Sequence, residues 1–161
     1  MKSACNTLSF GAMLVGFGVA GIVGVGEVQA EDWTSYRGPQ RNGISRESDW
    51  VLAKGGAPVL WKAEVGVGTS SVVVSKGKLV TAGHEDGKDV VRCLDAGTGK
   101  EVWKFSYAAT LDPNLFEGGT RATATIEGGL VYMLGHEGWL HCLDLANGNV
   151  RWKKHLANDF G

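Results

Sequence analysis

From Gly77 the sequence runs GKLVTAGHEDGKDVVRCLDAGTGKEVWK, and from Gly129 it runs GLVYMLGHEGWLHCLDLANGNVRWK. The two stretches align position by position: Gly83-His84-Glu85 on Gly135-His136-Glu137, Cys93-Leu94-Asp95 on Cys142-Leu143-Asp144, and Trp103-Lys104 on Trp152-Lys153. The first triplets are offset by 52 residues and the other pairs by 49, so the earlier copy holds three extra residues between Glu85 and Arg92. An insertion at a hairpin tip explains that difference. A third Trp-Lys pair, Trp61-Lys62, stands 42 residues before Trp103 and marks the end of a preceding, degenerate copy. Self-similarity at about 40–50 residues is the signature of stacked repeat units, each too small to bury its apolar face alone.

Each copy reads as short strands. SSVVV, KLVTA, DVVRCLD and EVWKF are rich in β-branched and aromatic residues and are bounded by Gly, Asp or Lys clusters. Four antiparallel strands in a unit of this size make one blade of a β-propeller. The connection Asp95-Ala96-Gly97-Thr98-Gly99-Lys100 and its counterpart Asp144-Leu145-Ala146-Asn147-Gly148-Asn149 end in a glycine, where a tight turn needs positive φ. The leading Asp of each can accept backbone N–H bonds and fix the hairpin. Composition agrees: 25 glycines against 3 prolines in 161 residues indicate many tight turns rather than a disordered linker, since average glycine usage is about 7%.

The first thirty residues are set apart. Lys2 is the only early charge, Leu8 to Gly26 is an uncharged apolar run, and Val28-Gln29-Ala30 offers small residues for a signal peptidase, so cleavage is expected after Ala30. The alternative is an uncleaved anchor, because the run approaches the ~20 residues of a spanning helix. The predicted organisation is a signal peptide over residues 1–30, an N-terminal segment leading into the propeller over 31–59, and truncated propeller repeats over 60–161. The protein is expected to be exported, to the periplasm or beyond. A net charge of −1 favours neither a nucleic-acid partner nor an anionic membrane surface.

LDAGTGKEVW resembles the tryptophan-docking motif of the pyrroloquinoline-quinone (PQQ)-binding-like propeller repeats, with Asp95, Gly99 and Trp103 at its defining positions and Asp144, Gly148 and Trp152 repeating it. WTSYRGPQRNGIS, from Trp33 to Ser45, and GGTRATATIEGGLVY, from Gly118 to Tyr132, are similar to other parts of such exported proteins. The resemblance implies an all-β partial propeller of four-stranded antiparallel blades, two clear and one partial, preceded by a signal helix. It also implies that Trp103 and Trp152 are buried fasteners, each packed on the motif of a neighbouring blade. Propellers close with about four to eight blades, so the mature 131 residues are expected to form an open arc. Val131, Met133, Leu140 and Leu143 belong to the last blade, some of them are expected to line its uncovered outer face, and that face is expected to self-associate.

For function, Arg121 stands out: it opens what should be an innermost strand near the channel mouth, where a guanidinium clamps a carboxylate or holds neighbouring loop carbonyls. Thr69, Ser70 and Thr123 share that rim. His84, His136 and His141 are expected as solvent-exposed hairpin residues, their spacing fitting no zinc signature. Cys93 and Cys142 are expected as small buried side chains, unpaired. The dehydrogenases that the resemblance brings to mind need a carboxylate base, calcium and often a Cys-Cys pair. This sequence has no Cys-Cys dipeptide, places Glu85 and Glu137 in turns, and commits Asp95 and Asp144 to hairpins. The leading expectation is therefore a non-catalytic exported scaffold without cofactor, acting on protein or cell-envelope partners. The alternative is an N-terminal part of a quinoprotein dehydrogenase, whose PQQ and calcium sites would lie in other blades. A third reading, kinship with the propeller lipoprotein of the outer-membrane assembly machinery, asks for a lipobox cysteine after the apolar run, and Cys5 precedes it.

Overall fold

In this computed structural model, the structure describes residues 30–48, 54–112, 114 and 117–161. The expected signal helix lies outside them. Two four-stranded antiparallel sheets carry the repeat: β1 (Val73–Ser75), β2 (Lys78–Glu85), β3 (Lys88–Asp95) and β4 (Glu101–Ala108), then β5 (Thr125–Glu127), β6 (Leu130–Leu134), β7 (Trp139–Asp144) and β8 (Val150–His155). Each sheet keeps its strands in chain order, as a propeller blade does, and a one-turn helix α1 (Leu156–Phe160) follows β8. The segment after Trp61-Lys62 adds isolated bridges, from Val67 to His84 and from Gly68 to Thr120. Among the described residues no helix is long and apolar enough to cross a membrane.

The three-residue insertion is the hairpin between β2 and β3. Asp86 and Gly87 form its tip at φ 50° and 72°, the paired positive values of the tight turn that matches strand twist. The shorter second copy turns instead through Gly135–Gly138, where the Gly138 N–H donates to Gly135 O at 3.0 Å. Both sheets shift register at the same place, between Cys93 and Leu94 and between Cys142 and Leu143. The repeat therefore extends to its irregularities.

Strand alternation sends every second side chain to one face, and the core is one such face of each sheet pressed together. Val80, Ala82, Val91, Cys93 and Trp103 of the first sheet meet Ile126, Val131, Met133 and Leu143 of the second. Val131, Met133 and Leu143 are thus sealed between blades, so of the four apolar residues from which the far face was expected to draw, Leu140 is the one that lies on it. That face carries the alternate residues: Tyr132 and Trp152 lie on either side of Cys142, with Leu134 and Leu140 beside them.

The tryptophan motif works as its sequence implied at Trp103, and Trp61, one repeat earlier, makes the same contact. Trp61 donates from Nε1 to Ala96 O at 3.0 Å, and Trp103 donates from Nε1 to Leu145 O at 2.9 Å, the same place in the next motif. Their rings lie flat over Gly99 and Gly148, held at φ 71° and 74°, so close that a Cβ on Gly148 would sit 2.7 Å from the Trp103 ring. Trp152 departs from the expectation: it is 42% exposed, because no described element covers the face it lies on.

Candidate functional site

The N-terminal segment crosses the innermost strands of both sheets. Trp33 exchanges both backbone hydrogen bonds with Val74 of β1 at 2.8 Å, and the Thr34 carbonyl accepts from Ile126 N of β5 at 2.8 Å. The segments that lead into these strands, residues 65–71 and 118–123, run side by side. Thr69 N donates to Thr120 O at 2.7 Å, Ser70 Oγ to Ala122 O at 2.6 Å, and Ser71 N to Thr123 Oγ1 at 3.2 Å. The approach is close enough that a Cβ on Gly119 would meet the Val67 carbonyl, so glycine is required there.

These contacts gather the rim residues. Thr69, Arg121 and Thr123, with Tyr36 and Ser71, line one open depression of about 410 Å³. Ser70, expected in the same set, turns its hydroxyl to the Ala122 carbonyl and ties the two chains together instead. Arg121 lies in extended chain ahead of β5 rather than opening it. Its guanidinium donates from Nη2 to Asp112 Oδ2 at 2.7 Å, while its Nε is buried without a partner. That pair holds the Asp112 carboxyl below the usual carboxylate range. The rim thus presents hydroxyls, a phenol and a guanidinium whose charge is already balanced, an arrangement able to donate and accept hydrogen bonds.

The histidines are not exposed hairpin residues as a group. His84 is buried in β2, where Nδ1 lies 3.0 Å from Asp89 Oδ1, and Asp89 in turn accepts from Tyr107 OH at 3.1 Å. His141 is buried on β7 against the rings of Tyr107 and Phe105; only His136 keeps its exposed turn position. Alternation explains both departures, since His84 shares a face with Ala82, and His141 with Leu143. Among the described residues no group of three or more His, Cys, Asp or Glu side chains could hold a metal ion. Cys93 and Cys142 are free and buried as expected, and burial pushes the Cys93 thiol up to about 11.

The residues at the rim do not fit PQQ and calcium. Calcium takes about six to eight oxygen ligands, carboxylates prominent among them, and the carboxylate beside this rim, Asp112, is bound to Arg121. Nor is Glu85 a turn residue free for base chemistry; it ends β2 and pairs with Arg92, whose other nitrogen holds Glu101 at 2.6 Å. Sequence reading missed Tyr36, Ser71 and Asp112. Tyr36 and Ser71 lie within the quoted segments WTSYRGPQRNGIS and SSVVV, but the Asp112 partnership is tertiary and left no local signal.

Comparison with known proteins agrees with the repeat. The outer membrane protein assembly factor BamB of Escherichia coli K12 is 30% identical over 79 residues, 46% of this chain and 19% of that protein. The chain thus matches about a fifth of the length of this curated relative. Quinohemoprotein alcohol dehydrogenase from Comamonas testosteroni shares the fold, at 21% identity and a TM-score of 0.54 over 77% of this chain and 19% of that one. BamB from Moraxella catarrhalis is 25% identical, with a TM-score of 0.41 over 53% of this chain and 24% of that one. A family model described as outer membrane protein assembly factor BamB matches residues 52–161. The kinship that the missing lipobox argued against is therefore carried by the repeats themselves, and this chain belongs to the BamB family of PQQ-type β-propeller repeats.

Proposed function

We propose that this chain is an exported β-propeller module that binds a protein or cell-envelope partner at its inner-strand rim and has no catalytic step of its own. One observation carries the reading: Tyr36, Thr69, Ser71, Arg121 and Thr123 converge from three separate segments on one depression, where the only charge among them is balanced by Asp112. Hydroxyls and a neutralised guanidinium can donate and accept without activating a nucleophile. The family description, an outer-membrane assembly factor, supports a partner in the envelope and hence a periplasmic location. On this reading residues 1–30 direct export, residues 31–59 lead into the sheets, and residues 60–161 carry the blades.

A photo-activatable cross-linker placed at Thr123 tests this, with Lys104 on the outer strand as control. Cross-links to an envelope protein from position 123 and not from position 104 support the rim. Equal labelling from both, or none from Thr123, overturns it. Reduction of an artificial electron acceptor by an alcohol, after loading with PQQ and calcium, would overturn the non-catalytic part.

A further inference from the structure

The seam between the two sheets holds a second cleft, away from the rim. It opens where the end of β4 meets β7 and β8, has a volume of about 220 Å³, and is lined by Tyr107, Ala108, Trp139, His141 and Lys153. Three rings cluster there at moderate tilts. The Tyr107 and His141 centroids are 4.4 Å apart at 33°, and those of Trp139 and His141 are 6.3 Å apart at 29°. Register places Lys153 opposite His141, and its ammonium lies 5.1 Å from the centre of the Trp139 ring.

One polar feature of this apolar cleft is not accounted for by packing. His141 Nδ1 is buried without a hydrogen-bond partner, although buried polar atoms are satisfied in the great majority of cases. Burial, with Lys153 nearby, also holds the His141 pKa below its ordinary value, so the ring is neutral near pH 7. Among the residues that line the cleft the Lys153 ammonium is then the one charge, suited to an anion, and the Asp89 carboxylate behind Tyr107 is engaged by the Tyr107 hydroxyl and by His84. The clustered rings suit a planar π-system, which prefers offset or tilted contact with aromatic faces. Ligand pockets usually run to about 300–1,000 Å³, so the smaller volume here suits one substituted ring. Both walls belong to neighbouring sheets of this chain, so further blades are not needed to complete the site.

We propose that this cleft binds a small planar aromatic carboxylate, its ring against Tyr107 and Trp139 and its carboxylate on Lys153 Nζ. The claim is independent of what occupies the rim. Isothermal titration calorimetry of the full chain with 4-hydroxybenzoate tests it, alongside 4-hydroxybenzyl alcohol, which lacks the charge, and cyclohexanecarboxylate, which lacks the ring. Saturable single-site binding of 4-hydroxybenzoate is expected, with both controls weaker by about tenfold or more. Lys153→Met is expected to weaken binding similarly, whereas Lys154→Met, on the opposite face of β8, leaves it unchanged. Thermal melts of both variants check that the fold is intact, and ligand-induced shifts of the His141 ring protons give a second readout. No saturable binding at millimolar 4-hydroxybenzoate, equal affinity for cyclohexanecarboxylate, or a Lys153→Met variant that binds like the parent would overturn the proposal.

Discussion

Replacing Trp103 by Ala removes the contact that fastens the first sheet to the second, and its cost can be worked from the structure. The indole is 7% exposed and packs within the core that the two sheets share, and truncating a buried aromatic of this kind costs about 3–5 kcal/mol. The Nε1 donor to Leu145 O is lost as well, and an unsatisfied carbonyl adds about 1–3 kcal/mol unless water reaches it. Gly148→Ala attacks the same contact from the other side. Positive φ costs a residue with a side chain about 1–2 kcal/mol, and the new Cβ would stand 2.7 Å from the indole. In a Trp103→Ala background that clash is gone and only the φ term remains. A double-mutant cycle by urea unfolding, followed by far-UV circular dichroism, should therefore give a coupling of about 1–3 kcal/mol. Trp152→Ala, at 42% exposure, serves as the contrast and should cost under about 1 kcal/mol. Additivity of Trp103→Ala and Gly148→Ala, or equal costs for the two tryptophans, would refute the fastener geometry.

Other expectations follow from burial and hydrogen bonding. Cys93, fully buried and with its thiol raised to about 11, should resist iodoacetamide in the native protein at pH 8 and react on unfolding; rapid native labelling would contradict its placement. The His141 pKa is lowered by burial, so its destabilising share should appear as pH falls below the unfolded value of about 6.5, and NMR of its ring protons should show the neutral form at pH 7. Hydrogen bonds from Thr98 lower the Asp95 carboxyl and the bond from Arg151 lowers that of Asp144. Their contributions are present above the unfolded carboxylate range and fade as pH drops below about 4; urea midpoints that rise between pH 5 and 3 would refute this. A polypeptide of residues 31–161 should self-associate through the face bearing Tyr132, Leu134 and Trp152, and sedimentation should show Trp152→Lys shifted toward monomer.

The blades were legible because the repeat states the same solution twice. Strand number, the hairpin insertion and the glycine under each tryptophan are local properties, written in β-branched runs and in Gly99 and Gly148. Which face of a strand meets which neighbour is not local. Val131, Met133 and Leu143 are as apolar as Leu134 and Leu140, so composition could not say that the first three seal the seam while the others lie on the far face. Alternation fixes the sets, and only the direction of the next blade decides which set is inside.

The same distinction separates what could be read of the sites from what could not. Arg121 was placed at the rim because it was read as opening an inner strand, with Thr69 and Thr123 sharing that rim; the structure sets Arg121 ahead of the strand and still brings the three together. Ser70 lies between two rim residues in sequence, and its neighbours Thr69 and Ser71 point to the depression while its hydroxyl is consumed by Ala122 O. A single step along an extended chain exchanged a rim residue for a tether. His141 was misread for a related reason: its neighbour Cys142 faces away from the seam, whereas His141 faces Tyr107, a residue 34 positions earlier on the other sheet. Ligand-facing chemistry in stacked blades is therefore assembled across seams, from residues whose sequence contexts are unrelated, and it becomes visible only when adjoining sheets are built together.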